Sequence, residues 1–574
     1  MDVAANNASP VLIVGAGPTG LAAAMSLARA HVPVRLIDKA MQPSPYSRAI
    51  GIQARTLELL EQHRLVEPFL ALGHRARVAN LFSNGMRLAR LDFDPLQTRY
   101  PYLLFLDQAV TERLLTEHLA TLGVTIERGV ELMNFAQGSA SVQATLRRAD
   151  GHTETLRPSY LIAADGAHSA VRHRLGLSFA GKTFEQTFLL ADLHAETDWP
   201  DDEFHLFASN DGLVALFPMG HGRHRLIADH AVEAPAMAPA ATPAVLGEPP
   251  LNRVPPPSLD DCKALIARRV RERVDVSDLK WSAHFHLNSR MVDRLRVGRI
   301  FLAGDAAHVH SPAGAQGMNT GIQEAFNLGW KLARVLKSAA PDRLLDTYHA
   351  ERHPIERDVL RQSGFVTQMA EADHGPLKLL RERVMPVLAA LGPLRDAARL
   401  TISELSIQYR RSPLTLERVL DGGPRAGERA PDALVHVVDG PLGRAPGVGC
   451  LFDLHDPAFF SLFLLVPPLP VDGTPLDPAA KHASPPDPDQ DRMAAEVERL
   501  LPGAVRIWRI TDTTGDGGPA LSESYGRTRP SFYLVRPDGY ISARGRTGTD
   551  LHALLRHCEA WFAVGGEIAE PTSL

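Results

Sequence analysis

The sequence contains few cysteines, no long apolar run and no block of basic residues. Its 574 residues include three cysteines, Cys262, Cys450 and Cys558, which lie far apart and form no CxxC pair. This argues against a disulfide framework and against a metal site, and it fits a reducing cytoplasm. No apolar run reaches the roughly 18 residues that a membrane-spanning helix needs, so we expect no membrane span.

The charges nearly balance, with 61 Lys and Arg against 66 Asp and Glu and a net charge of −5. Without a basic block, a nucleic-acid partner is not expected, and a small molecule is the better expectation. Hydrophobic residues at 45% and charged residues at 22% are typical of a globular protein. A chain of this length predicts two or three packed domains.

The first forty residues have the pattern of a strand, a helix and a second strand. Gly15, Gly17 and Gly20 form a GxGxxG motif directly after the first strand, and Asp38 ends the second. The first glycine permits a tight turn, the second lets the backbone approach a pyrophosphate, and the third lets the helix pack closely. The carboxylate can accept ribose hydroxyls. This unit predicts dinucleotide binding, but by itself it does not separate FAD from NAD.

Two further motifs follow later in the chain. Asp165-Gly166 ends the predicted strand YLIAADG, and Asp305 ends the strand RIFLAGD, before a loop rich in proline and glycine and then a helix. Asp-Gly alone indicates only a turn. In this order, however, the three motifs resemble those of the class A flavoprotein monooxygenases over about residues 10–360. The relatives of that family include para-hydroxybenzoate hydroxylase, phenol hydroxylase and the polyketide and rifampicin monooxygenases.

The resemblance implies an α/β fold built around a Rossmann-like FAD-binding domain of the GR2 type. The short alternating segments between residues 184 and 292 predict an inserted, largely antiparallel substrate domain. The last third, with SFYLVRPDGYISARG, is similar to the thioredoxin-like C-terminal domain of the phenol hydroxylase branch, although it lacks CxxC. The expected division is 1–183 and 293–360 for the FAD-binding domain, 184–292 for the substrate domain, 361–410 for a helical connection and 411–574 for the thioredoxin-like domain.

The family also implies which residues bind the cofactor. Asp305 is expected to bind the ribityl chain of FAD, and Asp165 belongs to a motif that serves FAD and NAD(P)H. Arg48 and Gln108 match positions that contact FAD, with a solvated loop charge and an ordinary polar helix start as the respective alternatives. The full expected set is Gly15, Gly17, Pro18, Gly20, Asp38, Lys39, Arg48, Gln108, Asp165, Gly304, Asp305, Pro312, Gly314, Gln316, Gly317, Met318 and Asn319.

In this family NADPH or NADH reduces FAD, O2 adds at flavin C4a, and the hydroperoxide hydroxylates an activated aromatic ring. A second Rossmann fingerprint is not apparent, which agrees with a transient NAD(P)H. The backbone N–H groups of loop 312–319 are suited to stabilise negative charge on the flavin. The expected chemistry is therefore that of an FAD-dependent aromatic hydroxylase.

The substrate residues are less specified by the sequence. Phenol hydroxylase has an acid where this chain has Ile50, so its base does not transfer. The candidates that polarise a phenolic oxygen are His286, Arg290 and His308. Pro312 is a further catalytic candidate, and Phe217 and Pro218 are candidates for the pocket lining. A structural histidine or ordinary sheet core is the alternative for these positions.

Three other functions stay open at this point. The same chemistry on a polyketide or antibiotic, a flavin reductase without oxygen transfer, and a flavin-binding sensor are the alternatives. The expected partners are a small aromatic substrate and, as an alternative to a monomer, a second copy in a homodimer.

Overall fold

The architecture is known from a computed structural model. It describes residues 9–44, 49–209, 211–229, 255–310, 316–337, 339–370, 391–441, 447–466, 487–513, 519–526 and 530–563. The strands are β1 Val11–Val14, β2 Val34–Asp38, β3 Gly51–Ile52, β4 His74–Ala76, β5 Val78–Ser83, β6 Met86–Asp92, β7 Leu103–Phe105, β8 Ile126–Arg128, β9 Val130–Gln137, β10 Val142–Arg148, β11 Thr153–Leu156, β12 Tyr160–Ala163, β13 Ala180–Thr197, β14 Glu203–Ser209, β15 Gly212–Gly220, β16 Arg223–Asp229, β17 Val274–Met291, β18 Arg296–Val297, β19 Ile300–Leu302, β20 His308–Val309, β21 Leu434–Asp439, β22 Gly447–Cys450, β23 Phe460–Leu465, β24 Val505–Asp512, β25 Ser531–Val535 and β26 Ile541–Arg546.

The α-helices alternate with these strands, and short 3-10 turns occupy Gly304–Ala306 and Asp342–Leu345. The helices are α1 Pro18–Arg29, α2 Ala54–Gln62, α3 Val66–Leu72, α4 Gln108–Thr121, α5 Ala170–Arg174, α6 Leu259–Arg269, α7 Gly317–Leu336, α8 Asp346–Ala370, α9 Gly392–Ile402, α10 Leu451–Leu454, α11 Pro488–Leu500, α12 Leu521–Tyr525 and α13 Leu551–Trp561.

The first sheet has the strand order β18-β19-β12-β1-β2-β8. All neighbours except β18 and β19 pair in parallel. The strands VLIV and YLIA are buried along their whole length, as expected for a parallel sheet covered on both faces. The helix α1 begins with Pro18 and packs against α4 and α7. The predicted strand, helix and strand at the start of the chain are confirmed.

A second, eight-stranded sheet has the order β20-β17-β13-β16-β15-β14-β5-β6 and is antiparallel except between β14 and β5. Its long strands β13 and β17 pair along most of their 18 residues. Apolar residues of one face, such as Leu189, Leu216 and Leu226, pack against Leu265 of α6. The strands β5 and β6 precede the predicted insertion in the chain, yet they join this sheet.

Two three-stranded sheets complete the first part of the molecule, with the orders β11-β10-β9 and β3-β7-β4. The sequence Asp150-Gly151, a common turn signal, joins β10 and β11, and Gly151 has the positive φ of +86° that such a turn favours. The helices α8 and α9 follow Leu345. The Pro-rich stretches at 234–257 and 467–489 lie largely outside the described residues.

The last part of the chain forms a six-stranded mixed sheet with the order β22-β21-β24-β23-β25-β26. The central pair β23 and β24 is parallel, and β25 and β26 continue it antiparallel. Helices α11 and α13 cover one face through Met493, Val497 and Leu554. Trp330 of α7 belongs to the same core, with its ring 5.6 Å from that of Phe460.

A buried network of charges joins this last sheet to α7 and α8. Arg536 binds both carboxylate oxygens of Glu351, at 2.6 and 2.9 Å, and Lys331 lies 2.7 Å from the same group. Asp538 lies beside Arg536, and Asn327 donates to both acids. Because each of these side chains is almost fully buried, the last sheet is fixed on the helix that begins at the candidate site. None of the described helices combines the length and the apolar character needed to span a membrane.

Candidate functional site

The predicted motifs meet at the carboxyl edge of the first sheet. Val14 of β1 pairs with Ile37 of β2 and Ala163 of β12, which in turn pairs with Leu302 of β19. The residues that follow these strand ends therefore lie side by side, in the place where open parallel sheets bind ligands. One edge of the sheet therefore carries the loop that follows Val14 together with Asp38, Asp165 and Asp305. These residues are far apart in the chain.

The three glycines of the first turn have three different surroundings. Gly15 has φ +103°, and a Cβ there would lie 2.2 Å from the carbonyl oxygen of Ala164. A Cβ on Gly20 would lie 1.9 Å from the oxygen of Gly15, so α1 packs too closely on the turn for any side chain. A Cβ on Gly17 would meet nothing within 4 Å. The open space at the start of α1 is where backbone N–H groups can receive a phosphate.

Asp38 is held at the end of β2 by its own loop. One carboxylate oxygen accepts the N–H of Ala16 at 2.9 Å, and the other accepts the N–H of Ala40 at 2.8 Å. Arg128 lies 3.5 Å away. The carboxylate thus has a fixed position beside the glycine turn, while Lys39 is exposed.

The Asp165-Gly166 turn is tied to the third motif. Ser169 caps α5, and Arg172 donates from its guanidinium to the carbonyl oxygens of Ala167 at 2.7 Å and Ala306 at 3.0 Å. One oxygen of Asp165 accepts the N–H of Val171, and within the described residues its other oxygen is buried with no hydrogen-bond partner. A buried oxygen of this kind calls for a ligand or a water.

The third motif is a buried turn from which the side chain of Asp305 is exposed. Gly304, Ala306, Ala307 and His308 are buried, whereas Asp305 is exposed. Gly304 has φ +58°, and a Cβ there would collide with Thr19 of α1. A side chain at this position is therefore excluded both by conformation and by space.

The first turn of α7 lies against the small sheet that contains β3. The side chain of Asn319 accepts the N–H of Gln53 at 3.1 Å and donates to the carbonyl oxygen of Gly51 at 2.8 Å. Gln316 is buried and reaches the carbonyl oxygen of Thr401, and Met318 is partly buried. Gly317 begins the helix. Arg48, Pro312 and Gly314 of the predicted set lie outside the described residues.

Gln108 joins the start of α4 to the segment before β3. Its side-chain oxygen accepts the N–H of Ala49 at 3.2 Å, and its own N–H donates to the carbonyl oxygen of Ala49 at 3.1 Å. Its amide also donates to Glu112 at 2.9 Å. Gln108 thereby fixes the chain next to the segment that carries Arg48.

The described substrate candidates lie on three strands of the eight-stranded sheet, β15, β17 and β20. Arg290 of β17 donates to the carbonyl oxygen of Phe179 and to the hydroxyl of Thr183. His308 of β20 is 1% exposed and bonds through Nε2 to Glu324 at 2.7 Å. Phe217 packs edge-on against Phe105 at 5.4 Å.

Pro218 and His286 are the two remaining candidates on this sheet. Pro218 pairs with His224 and so faces away from its neighbour Phe217, which shares a row with Arg225. The strand β17 includes His286, whose side chain lies outside the described residues.

Sequence reasoning missed a buried polar cluster on the second sheet. Arg225 binds Asp192 through Nη2 at 2.7 Å and lies 3.4 Å from Asp107. Asp107 is the residue directly before Gln108 in the chain. Trp281 donates its indole N–H to Asp192 at 2.7 Å. The alternation of β16 gave no signal for this cluster, because it places Arg225 on the same face as Arg223 and Asp229.

A second missed cluster lies behind the Asp305 turn. His308, Glu324 and Glu356 are buried together, with candidate ligand atoms within 4.8 Å of one another. These residue types also ligate metals, but Arg352 lies 4.0 Å from Glu324 and already supplies positive charge. Burial and the charge of Glu324 raise the pKa of Glu356 well above its usual range. The contacts thus describe a hydrogen-bonded ion cluster.

The residues at the sheet edge fit an FAD molecule. The open space at Gly17 suits a pyrophosphate, Asp38 is placed for ribose hydroxyls, and the unpartnered oxygen of Asp165 and the exposed Asp305 face the same edge. The start of α7 adds a site for negative charge, because the first N–H groups of a helix have no acceptor within the helix itself.

Comparisons with known proteins give consistent matches. A family model described as FAD binding domain matches residues 8–363. The 6-methylpretetramide 4-monooxygenase of Streptomyces rimosus is 36% identical over 555 residues, covering 94% of this chain and 91% of that protein. Pentachlorophenol 4-monooxygenase of Sphingobium chlorophenolicum is 34% identical, covering 74% of this chain and 75% of that protein. The structure of an anhydrotetracycline hydroxylase from Streptomyces rimosus matches with a TM-score of 0.73 and 29% identity, covering 97% of this chain and all of that one.

Proposed function

The chain belongs to the FAD-binding domain family of flavoprotein monooxygenases, and we propose that it hydroxylates a phenol-like aromatic ring. The resemblance predicted from three ordered motifs is confirmed by these matches. The enzyme is an FAD-dependent aromatic hydroxylase that consumes NAD(P)H and O2. The observation that carries the proposal is the meeting of the glycine turn, Asp38, Asp165 and Asp305 at one sheet edge.

Bound FAD supplies the capacity to take electrons from NADPH or NADH and to activate oxygen. For this chain, we propose that Gly15, Gly17, Pro18, Gly20, Asp38 and Lys39 hold the nucleotide half, together with Arg48 and Gln108. Asp165, Gly304 and Asp305 would bind the ribityl side. Gly314, Gln316, Gly317, Met318 and Asn319 would present backbone N–H groups to the negative end of the flavin, and Pro312, which has no N–H, would belong to the same loop. The buried oxygen of Asp165 and the open face of Gly17 support this assignment.

We propose that the substrate lies on the face of the second sheet opposite α6. Phe188 pairs with Phe285, and Leu190 pairs with Ala283 and Ile227, so these apolar side chains share one face. Phe285 and Ile227 are only partly buried. Phe217 lies on the same face near the first sheet, and Pro218 would contribute through its backbone only. Such a surface suits a flat aromatic ring.

The group that polarises the phenolic oxygen is proposed to come from His286, Arg290 and His308, with Pro312 as a further catalytic candidate in the loop before α7. Among the described side chains His308 has the best support, because its Nδ1 is buried without a hydrogen-bond partner while Nε2 is held by Glu324. An imidazole fixed through one nitrogen can donate or accept a proton through the other. Replacing His308 with Gln is expected to lower kcat for hydroxylation more than the rate of flavin reduction.

The finer division of the fold is also a proposal. A Rossmann-like domain of the GR2 type over 1–183 and 293–360, a substrate domain over 184–292, a connection over 361–410 and a thioredoxin-like domain over 411–574 are supported by the separate sheets. The parallel pair β23 and β24 followed by the hairpin β25–β26 and α13 supports the thioredoxin-like assignment. The strands β5 and β6 would then belong structurally to the substrate sheet.

Two properties of the protein in the cell belong with this proposal. The described cysteines are free thiols, which supports a reducing cytoplasm. Exposed apolar residues of α9, Leu394 and Leu400, support a homodimer. Light scattering on the eluted protein tests the oligomeric state, since a monomeric mass would contradict the dimer.

A polyketide is the second candidate substrate. The relatives that match along the whole chain, including its last sheet, act by name on 6-methylpretetramide and anhydrotetracycline. The pentachlorophenol enzyme is covered over a smaller share of its length. This difference in coverage favours including multi-ring phenols in any test.

The test is anaerobic reduction of the purified yellow protein by NADPH and NADH, followed by mixing with O2. Simple phenols and multi-ring phenols are compared as effectors. We expect one class to accelerate flavin reduction and to give hydroxylated product in proportion to the O2 consumed. Fast reduction without any aromatic effector, with all O2 recovered as hydrogen peroxide, would instead establish a reductase. Phe285→Ala serves as the matched variant, because it is expected to raise KM for the aromatic compound and leave FAD binding unchanged.

A further inference from the structure

The turn that carries Asp305 is held from behind by a single side chain of α7. Glu324 is fully buried, and one of its oxygens accepts the backbone N–H of Gly304 at 2.8 Å. Its other oxygen bonds to Nε2 of His308 at 2.7 Å. The carboxylate therefore contacts the chain one residue before Asp305 and three residues after it.

The helix and the turn are also in close contact through their backbones. A Cβ on Gly321 would lie 3.2 Å from the Cα of Gly304, and a side chain at either glycine would meet Thr19 of α1. Since α7 starts at Gly317, the same rigid helix carries both Glu324 and the first turn that we assign to the flavin. A shift of the turn relative to α7 would have to break the contacts of Glu324.

The charge of Glu324 is maintained by its surroundings. Burial alone would raise its pKa, but His308 and Arg352 face it and hold the pKa below its usual value. Arg352 is anchored in turn by the carbonyl oxygen of Thr320 at 3.2 Å and the hydroxyl of Tyr409 at 3.0 Å. Burial and the charge of Glu324 raise the pKa of the neighbouring acid, Glu356, above its usual range. A charged acceptor forms stronger hydrogen bonds than a neutral one.

We propose that Glu324 is a positioning residue for the cofactor, fixing Asp305 and His308 relative to the start of α7. The inference rests on the proposed role of Asp305 in binding FAD. Glu324 itself touches neither cofactor nor substrate in this proposal, and it acts only through the turn.

The experiment is a double-mutant cycle on FAD affinity, measured by titrating the apoprotein with FAD. Glu324→Gln keeps the shape of the side chain but removes its charge, and we expect FAD binding to weaken about 10- to 100-fold. In the Asp305→Ala background the same change should have less than about a twofold further effect, because the positioned carboxylate is already absent. Glu61→Gln is the matched control, since it replaces another buried carboxylate, which bonds to Arg99 and Tyr100 and does not touch the turn, and its FAD affinity should stay within about twofold of the parent.

Each outcome of the cycle either supports or overturns the proposed role of Glu324. Effects of Glu324→Gln and Asp305→Ala that simply add would overturn the proposal, because they would show that Glu324 acts independently of Asp305. An equal loss in the Glu61→Gln control would do the same, by indicating a general disturbance of the core. If Glu324→Gln does not fold, His308→Gln replaces it in the cycle and must show the same coupling. Failure of the parent chain to bind FAD would instead refute the proposed function itself.

Discussion

Replacing Glu351 with Gln should destabilise the attachment of the last sheet to the rest of the protein. Glu351 receives Arg536 through two hydrogen bonds, Lys331 at 2.7 Å, Asn327 at 2.7 Å and the hydroxyl of Ser412 at 2.6 Å. In the amide variant Arg536 and Lys331 stay buried, and Asp538 is the main anion that remains near them. The substitution thus removes charge from the centre of the network with little change in volume.

The magnitude follows from the burial of the partners. Removing one member of a fully buried ion pair costs about 3–5 kcal/mol, because the remaining charge stays desolvated. For a unit of 150–250 residues each kcal/mol shifts the thermal midpoint by about 2–4 °C, which gives a fall of about 6–20 °C. Burial, opposed by Glu351, lowers the pKa of Lys331 to about 8. Since Lys331 loses its charge as pH rises through that value, its share of the loss should shrink above pH 8.

The assay is thermal unfolding followed by circular dichroism, with limited proteolysis to locate the part that opens first. The matched control is Glu117→Gln, which removes an exposed partner of Arg113 in α4, where an effect of only about 0.3–0.5 kcal/mol is expected. We expect proteolysis of the variant to release the last sheet. A midpoint for Glu351→Gln equal to that of the surface control would refute the reasoning, since the buried network would then add nothing to stability.

Three further outcomes are expected. Gly17→Ala should fold normally but weaken FAD binding by about tenfold or more, because its Cβ occupies the open space at the pyrophosphate; Gly20→Ala should unfold at a lower temperature, because its Cβ has no room. Burial, opposed by Arg352 and by the hydrogen bond from Gln323, raises the pKa of Glu404 to about 8. Its contribution to stability is therefore fully present below about pH 4.5 and lost as pH rises to 8, at a cost on the order of 4 kcal/mol. Glu404→Gln should therefore reduce the pH dependence of the unfolding temperature measured between pH 5 and 8.5. Phe285→Ala should raise KM for the aromatic substrate without changing the FAD dissociation constant measured by titration.

Contrary results would be informative in each case. Equal FAD affinity of the Gly17→Ala variant and the parent would place the pyrophosphate elsewhere. A pH dependence unchanged by Glu404→Gln would assign it to other groups, and an unchanged KM for Phe285→Ala would move the substrate off this sheet face.

The nucleotide turn was accessible to sequence reasoning because its geometry is local. Gly15, Gly17 and Gly20 lie within one turn and one helix start, so their spacing already specifies a tight turn, an open face and a close contact. The hairpin at Asp150-Gly151 was accessible for the same reason. The family followed from the order of three such motifs, and the comparisons confirm it.

Other features were not accessible because they depend on distant parts of the chain. No local sequence pattern shows whether β5 and β6 pair with the second sheet or with other strands from the first part of the chain. Arg225 is recognisable as an inward-facing charge only after β16 is placed between β13 and β15. Its meeting with Asp107 depends on how the two sheets pack.

The sequence alone determined the nucleotide-binding unit, the family and the chemistry, because short segments carry that information in backbone conformation and residue spacing. Only the tertiary structure decided that Glu324 supports the Asp305 turn and that Arg536 reaches Glu351 across the last sheet. Those pairings join residues that are far apart in the chain. They form because buried charges must find partners wherever the packing of helices and sheets brings them together.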